Sequence, residues 1–223
     1  MERQASAGTP SRFPANVFRA FVMLAAGALL AAAASVPFCY ETQTLWYKTG
    51  IDKVLLRAGQ LAGLLALVLL LGQILLVLRI RFGEILFGGA RLLRWHRRNG
   101  VLLFLTACSH LVLVLAPEGF DNLPIGRKHW PEMTGGLLLL LLLITVCTSQ
   151  FRAWLRLDYG RWLLLHKPSG SLALVLATVH VLFVSESFGQ GLPRAALLTI
   201  VSGLAVLIVA VQVGRCRVRD AGR

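Results

Sequence analysis

The chain has 223 residues, of which 57% are hydrophobic, and it carries a formal charge of +13. Its mean hydropathy is +0.71, and soluble domains rarely exceed about half apolar residues, so a water-soluble globular class is excluded. Nucleic acid is excluded as a partner too, because the basic residues flank apolar stretches and form no long run interleaved with aromatics.

Hydropathy and breaker residues predict an all-α, integral membrane six-helix bundle. The spans fall at about 17–38, 54–78, 95–116, 134–150, 161–184 and 194–213. Residues 1–16 form an N-terminal tail, 17–213 the membrane domain and 214–223 a basic C-terminal tail. The first span admits a competing reading. Arg12 and Arg19 precede an apolar stretch that ends in the small residues 31–35, as in a cleaved secretory signal. The stretch runs on to about Phe38, longer than most such regions, which favours a retained span. The second span opens with Arg57. The third carries His96 and His110, and the fifth carries His166 and His180. His129 lies in the 117–131 connection with Arg127 and Lys128 and reads as a solvated loop residue. The cysteines Cys39, Cys108, Cys147 and Cys216 form no CxxC motif and read as small packing residues.

Charge sets the expected orientation. Seventeen Lys and Arg residues flank the odd-numbered connections and the termini, against six on the other side. The positive-inside rule then puts both termini in the cytoplasm of a multi-pass protein of the cell inner membrane. The third and fifth spans consequently run parallel.

The histidines carry the chemistry. His96 and His110 are fourteen residues apart, as are His166 and His180. On a helix this spacing turns about 1400°, within roughly 40° of whole turns, and rises about 21 Å. Each pair therefore shares a helix face. Parallel spans let His96 face His166 and His110 face His180. Ionisable residues in a bilayer are costly and usually functional. Neutral imidazole is an axial ligand for haem iron, and two per iron leave no open position. The expected cofactors are two b-type haems, with a single haem as the alternative, and the expected activity is electron transfer. Arg97, beside His96, and Arg57 are candidate partners for the anionic propionates. Gly100 and Gly170 each follow a histidine by four residues and remove bulk where a porphyrin could lie. A cofactor-free scaffold or transporter, its histidines packing helices, is the alternative class.

The stretches RIRFGEILFGGARLLRWHRRNGVLLFLTACSHLVLV (79–114) and YGRWLLLHKPSGSLALVLATVH (159–180) resemble the ferric reductase-like transmembrane domain family. Ferric reductases, NADPH oxidases and the haem subunit of a bacterial methionine sulfoxide reductase system share that domain. The family's histidine–arginine pair and its later histidine fall on His96, Arg97 and His110, and its second pair on His166 and His180. Arg57 looks like the counterpart of an arginine that lies by the outer haem in NADPH oxidases. The resemblance implies an oxidoreductase membrane subunit that passes electrons from a cytoplasmic donor to an outer acceptor. The sequence holds no dinucleotide fingerprint in strand–helix context. The expected donor is therefore a separate flavin reductase subunit or a quinol. The expected acceptor is a ferric chelate, oxygen or a periplasmic protein.

Overall fold

The computed structural model describes residues 13–78, 80–119, 123–189 and 191–221. The basic residues Arg3, Arg12, Arg79 and Arg223 lie outside them. Eight α-helices follow in chain order among the described residues: α1 (Phe13–Cys39), α2 (Gln43–Tyr47), α3 (Gly50–Leu78), α4 (Arg81–Phe87), α5 (Gly89–Leu115), α6 (Trp130–Gln150), α7 (Tyr159–Val184) and α8 (Gly191–Ala221). Six of them are long and apolar enough to cross a membrane. The protein is an all-α membrane bundle, as its hydropathy predicts.

The helices overrun the predicted spans at their polar ends. The stretch before His96 was expected to be a loop as far as residue 94. Instead, α4 occupies its first part and α5 starts at Gly89, so Arg91 and Arg94 lie on the helix that carries His96. Gly88, at φ +80°, makes the sharp turn between α4 and α5, a backbone conformation that favours glycine. Asp158 starts α7 by accepting hydrogen bonds from the Gly160 and Arg161 amides.

Cross-links sort the two ends of the bundle. Arg19 donates from Nε to the Leu86 carbonyl, and Arg215 donates to the Leu78 carbonyl. The start of α1, the end of α3, α4 and the end of α8 therefore share one end, which is rich in arginine. At the opposite end Lys48 pairs with Glu118 at 2.9 Å. There Glu186 receives the Gln43 amide and the Thr44 hydroxyl, each at 2.7 Å. This end mixes both charge signs.

In lipid, apolar burial gives helices little reason to associate, so close fit and interhelical hydrogen bonds carry the packing. α3 lies along α5, and α6 along α7. Leu103 on α5 and Ala173 on α7 are buried in one cluster with Leu67, Leu70 and Leu142. Each lies seven residues from both histidines of its own helix. Seven residues are about two turns, so an aliphatic layer sits midway between the two histidine levels.

Candidate cofactor site

The structure brings the four histidines together in two pairs across α5 and α7. His96 and His166 have ring centroids 6.1 Å apart with planes at 85°. His110 and His180 stand 6.4 Å apart at 81°. Equal register at two heights means that α5 and α7 run parallel. Yet their backbones make almost no close approach, and the imidazoles span the gap between them.

The pair at the mixed-charge end is seated by backbone. His110 Nδ1 lies 2.8 Å from the Gly59 carbonyl of α3. His180 Nδ1 lies 3.0 Å from the Pro131 carbonyl of α6. A carbonyl only accepts, so each Nδ1 carries the proton and each Nε2 keeps its lone pair. This is the second-shell arrangement that orients a metal-ligating histidine and raises its basicity. Four residues after each carbonyl stands a glycine. A β-carbon on Gly63 would come within 2.8 Å of His110 Nδ1, and one on Gly135 within 2.5 Å of His180 Cε1. Each imidazole thus occupies the space of a missing side chain. Gly59 itself lets Val114 of α5 approach closely. The Gly59-x-x-x-Gly63 pattern in an apolar helix was a readable signal for such packing.

The pair at the basic end is held by side chains. Asn99 donates to the Leu69 carbonyl at 2.9 Å and to Gln73 Oε1 at 2.7 Å. These bonds orient the Gln73 amide, whose nitrogen donates to the His96 carbonyl at 3.0 Å. The same nitrogen lies 3.4 Å from His96 Nε2. Across the gap, Ser149 Oγ is 3.4 Å from His166 Nδ1, and Trp162 stacks on the His166 ring at 4.6 Å. His96 Nδ1 and Trp162 Nε1 are buried without hydrogen-bond partners. A β-carbon on Gly100 would meet Gln73, so that glycine makes room for the amide and not for a porphyrin; at Gly170 one would meet nothing within 4 Å. Asn99→Ala is expected to cost about 1 kcal/mol of bundle stability. Thermal unfolding in detergent measures the loss.

A cavity of about 360 Å³ opens beside His110 and His180, walled by apolar side chains such as Leu67, Leu103 and Leu138. Gln60 and Glu132 line it too, and each has an oxygen buried without a partner. Arg57 is not in its wall. Its guanidinium pairs with Glu41 and lies 4.9 Å over the Phe38 ring, while its Nε is buried and unpaired. The carboxylate beside Arg57 is thus a protein side chain. Arg97 is exposed, next to His96. His129 lies 4.0 Å from Glu132 at the helix start.

Haem can be tested against these residues. Two imidazoles on opposite sides of one metal, at about 2.0–2.1 Å each, have centroids roughly 6.3 Å apart. Both pairs match that separation. The gap between α5 and α7, the Nε2 atoms of His110 and His180 and the largely aliphatic lining fit a flat, mostly apolar group; Arg57, already paired with Glu41 outside the cavity wall, is not part of that fit.

The sequence profile described as "Ferric reductase like transmembrane component" matches residues 62–177, just over half of the chain. The chain belongs to the ferric reductase-like transmembrane family. Membership implies transmembrane electron transfer at the level of the family, which is generally haem-binding. The matched region takes in His96, His110 and His166 and ends three residues before His180. No curated protein and no solved structure matches the chain.

Proposed function

We propose that this chain carries electrons across a bilayer through two b-type haems, one held by His96 and His166 and one by His110 and His180. The observation that carries the reading is the facing imidazole pair repeated at two heights, with centroids 6.1 and 6.4 Å apart. When bound, haem supplies reversible one-electron chemistry at iron, and two histidines per iron leave no site for oxygen to bind. The protein's residues do the rest. The Gly59 and Pro131 carbonyls hold His110 and His180 in the ligating tautomer. Aliphatic side chains such as Leu67, Leu103 and Leu138 make most of the cavity wall apolar. Arg97, exposed beside His96, supplies positive charge for a propionate at the basic end, whereas Arg57 would serve one at the other end only by exchanging its Glu41 partner.

The positive-inside rule assigns the basic end to the cytoplasm of the inner membrane. A flavin reductase or a quinol then gives electrons there. A ferric chelate, oxygen or a periplasmic protein, such as a methionine sulfoxide reductase, takes them at the other end. Protein purified after haem-replete expression should show a low-spin b-type reduced-minus-oxidised spectrum, with about two haems per chain. A colourless preparation would sink this reading and leave the histidines as helix-packing residues.

A further inference from the structure

His166 differs from the other three histidines in what covers it. Tyr159, Trp162 and His166 are three and four residues apart, so they share one face of α7. Tyr159 and Trp162 have ring centroids 5.6 Å apart, and Trp162 lies 4.6 Å from His166, with planes only 23° apart. On its other side Tyr159 meets the Arg152 guanidinium at 5.6 Å. A chain of neighbouring rings, tilted by 37° between Tyr159 and Trp162 and stacked between Trp162 and His166, therefore leads from the surface, where Tyr159 is 58% exposed, to the imidazole of the basic-end pair. No other of the four histidines stacks on a tyrosine or tryptophan among the described residues. His96 meets the side-chain amide of Gln73, and the neighbouring Trp95 packs on Phe87.

The turn before α7 presents the same end of this stack. Three backbone bonds, Leu155 to Phe151, Arg156 to Ala153 and Leu157 to Arg152, close it. They hold Arg156 at φ +50°, a conformation costly for a side-chain-bearing residue. Trp154 in the turn is 81% exposed, and Arg152, Arg156 and Arg161 lie near it in sequence. Interfacial anchoring accounts for exposed aromatics and arginines at a membrane edge. It does not account for Trp162, whose ring lies flat on an imidazole and whose N–H is buried and unpaired.

We propose that Tyr159 and Trp162 are the electron-uptake contact of the basic end, and that exposed Tyr159 receives the ring edge of a reduced flavin on a separate reductase. The inference rests on the haem reading above and adds the route and the donor class. Arg152 lies over Tyr159, and the exposed Arg156 and Arg161 are close in sequence, so the reductase surface around its flavin is acidic. The flavin is the reductant and is oxidised in two one-electron steps, its protons passing to solvent within the reductase. His96 and His166 would hold the group that takes up one electron each time. Trp162 and Tyr159 carry no net charge change. They replace a gap between surface and ligand with rings in contact, and Trp162 acts through His166.

The test uses the haem-loaded full chain in detergent, with photoreduced flavin mononucleotide as donor and dithionite as control, read by stopped-flow absorbance. Trp162→Leu and Tyr159→Leu should each slow flavin-driven haem reduction roughly tenfold or more, which is at least 1.4 kcal/mol of lost coupling. In Tyr159→Leu, haem content, the low-spin spectrum and the dithionite rate should stay unchanged. Trp162→Phe, which keeps a ring on His166, should restore most of the flavin-driven rate. If Trp162→Leu loses haem, Tyr159→Leu, which does not touch the ligand, decides the matter. Equal flavin-driven rates in wild type and variants overturn the route, and so does a haem-loaded wild type that flavin does not reduce. A wild type that binds no haem overturns the haem reading instead.

Discussion

Alanine at His110 or His180 should release the haem of the mixed-charge end and leave the other in place. The haem-to-protein ratio would fall from about two to about one, since a bis-histidine iron loses half its axial ligands. Alanine at His96 or His166 should do the converse. The two levels are expected to be independent. The aliphatic layer around Leu103 and Ala173 separates them, and they take second-shell partners from different parts of α3 and α6 or from different side chains. A pyridine haemochrome assay on each single variant gives the ratio, and redox titration tells which component is missing. Full haem content in all four variants would end the haem assignment. Loss of both haems in every variant would show that the sites fold as one unit.

The second large effect is expected from two residues with no side chain. Gly63→Ala and Gly135→Ala each place a methyl group inside an imidazole, at 2.8 Å from His110 Nδ1 and 2.5 Å from His180 Cε1. Either the ring or the helix must move. Overpacking of this kind costs about 1–3 kcal/mol. Moving the ring breaks the Nδ1 bond to Gly59 or Pro131 and turns Nε2 away from its partner. A haem at the mixed-charge end should then be bound weakly, shift partly to high spin and wash out in detergent, while the site of His96 and His166 keeps its spectrum. Gly72→Ala on α3, where a β-carbon meets nothing within 4 Å, is the matching control and should leave both sites intact. An unchanged spectrum in Gly63→Ala and Gly135→Ala would mean that the rings do not sit in these seats when the cofactor is bound.

These glycines also mark how far the sequence could be read. Gly100 and Gly170 drew attention because they follow the inner histidines by one helical turn. The seats lie on other helices, on Gly63 of α3 and Gly135 of α6, about fifty residues along the chain from the histidines they receive. Spacing within one helix cannot reveal a cavity cut in its neighbour. Arg57 teaches the same lesson. Its place at the start of the second span was legible, but its pairing with Glu41 depends on how the turn after α1 folds back. Gln73 and Asn99 read as polar interruptions of apolar helices, and only their meeting across α3 and α5 makes them a tether for His96.

By itself the sequence determined the class of protein and the chemistry within reach. Runs of apolar residues long enough for a bilayer dictate helices, because no other open structure satisfies its backbone in lipid. Two fourteen-residue intervals put paired imidazoles on single helix faces, because helical periodicity is a local property of the chain. Tertiary structure alone decided that α5 and α7 stand apart while their rings meet, which carbonyls take the Nδ1 protons, and that one imidazole of four lies under a stack leading to the surface. Those features depend on the rotation and close approach of helices distant in sequence, set by side-chain fit of a few ångströms that a hydropathy pattern does not encode.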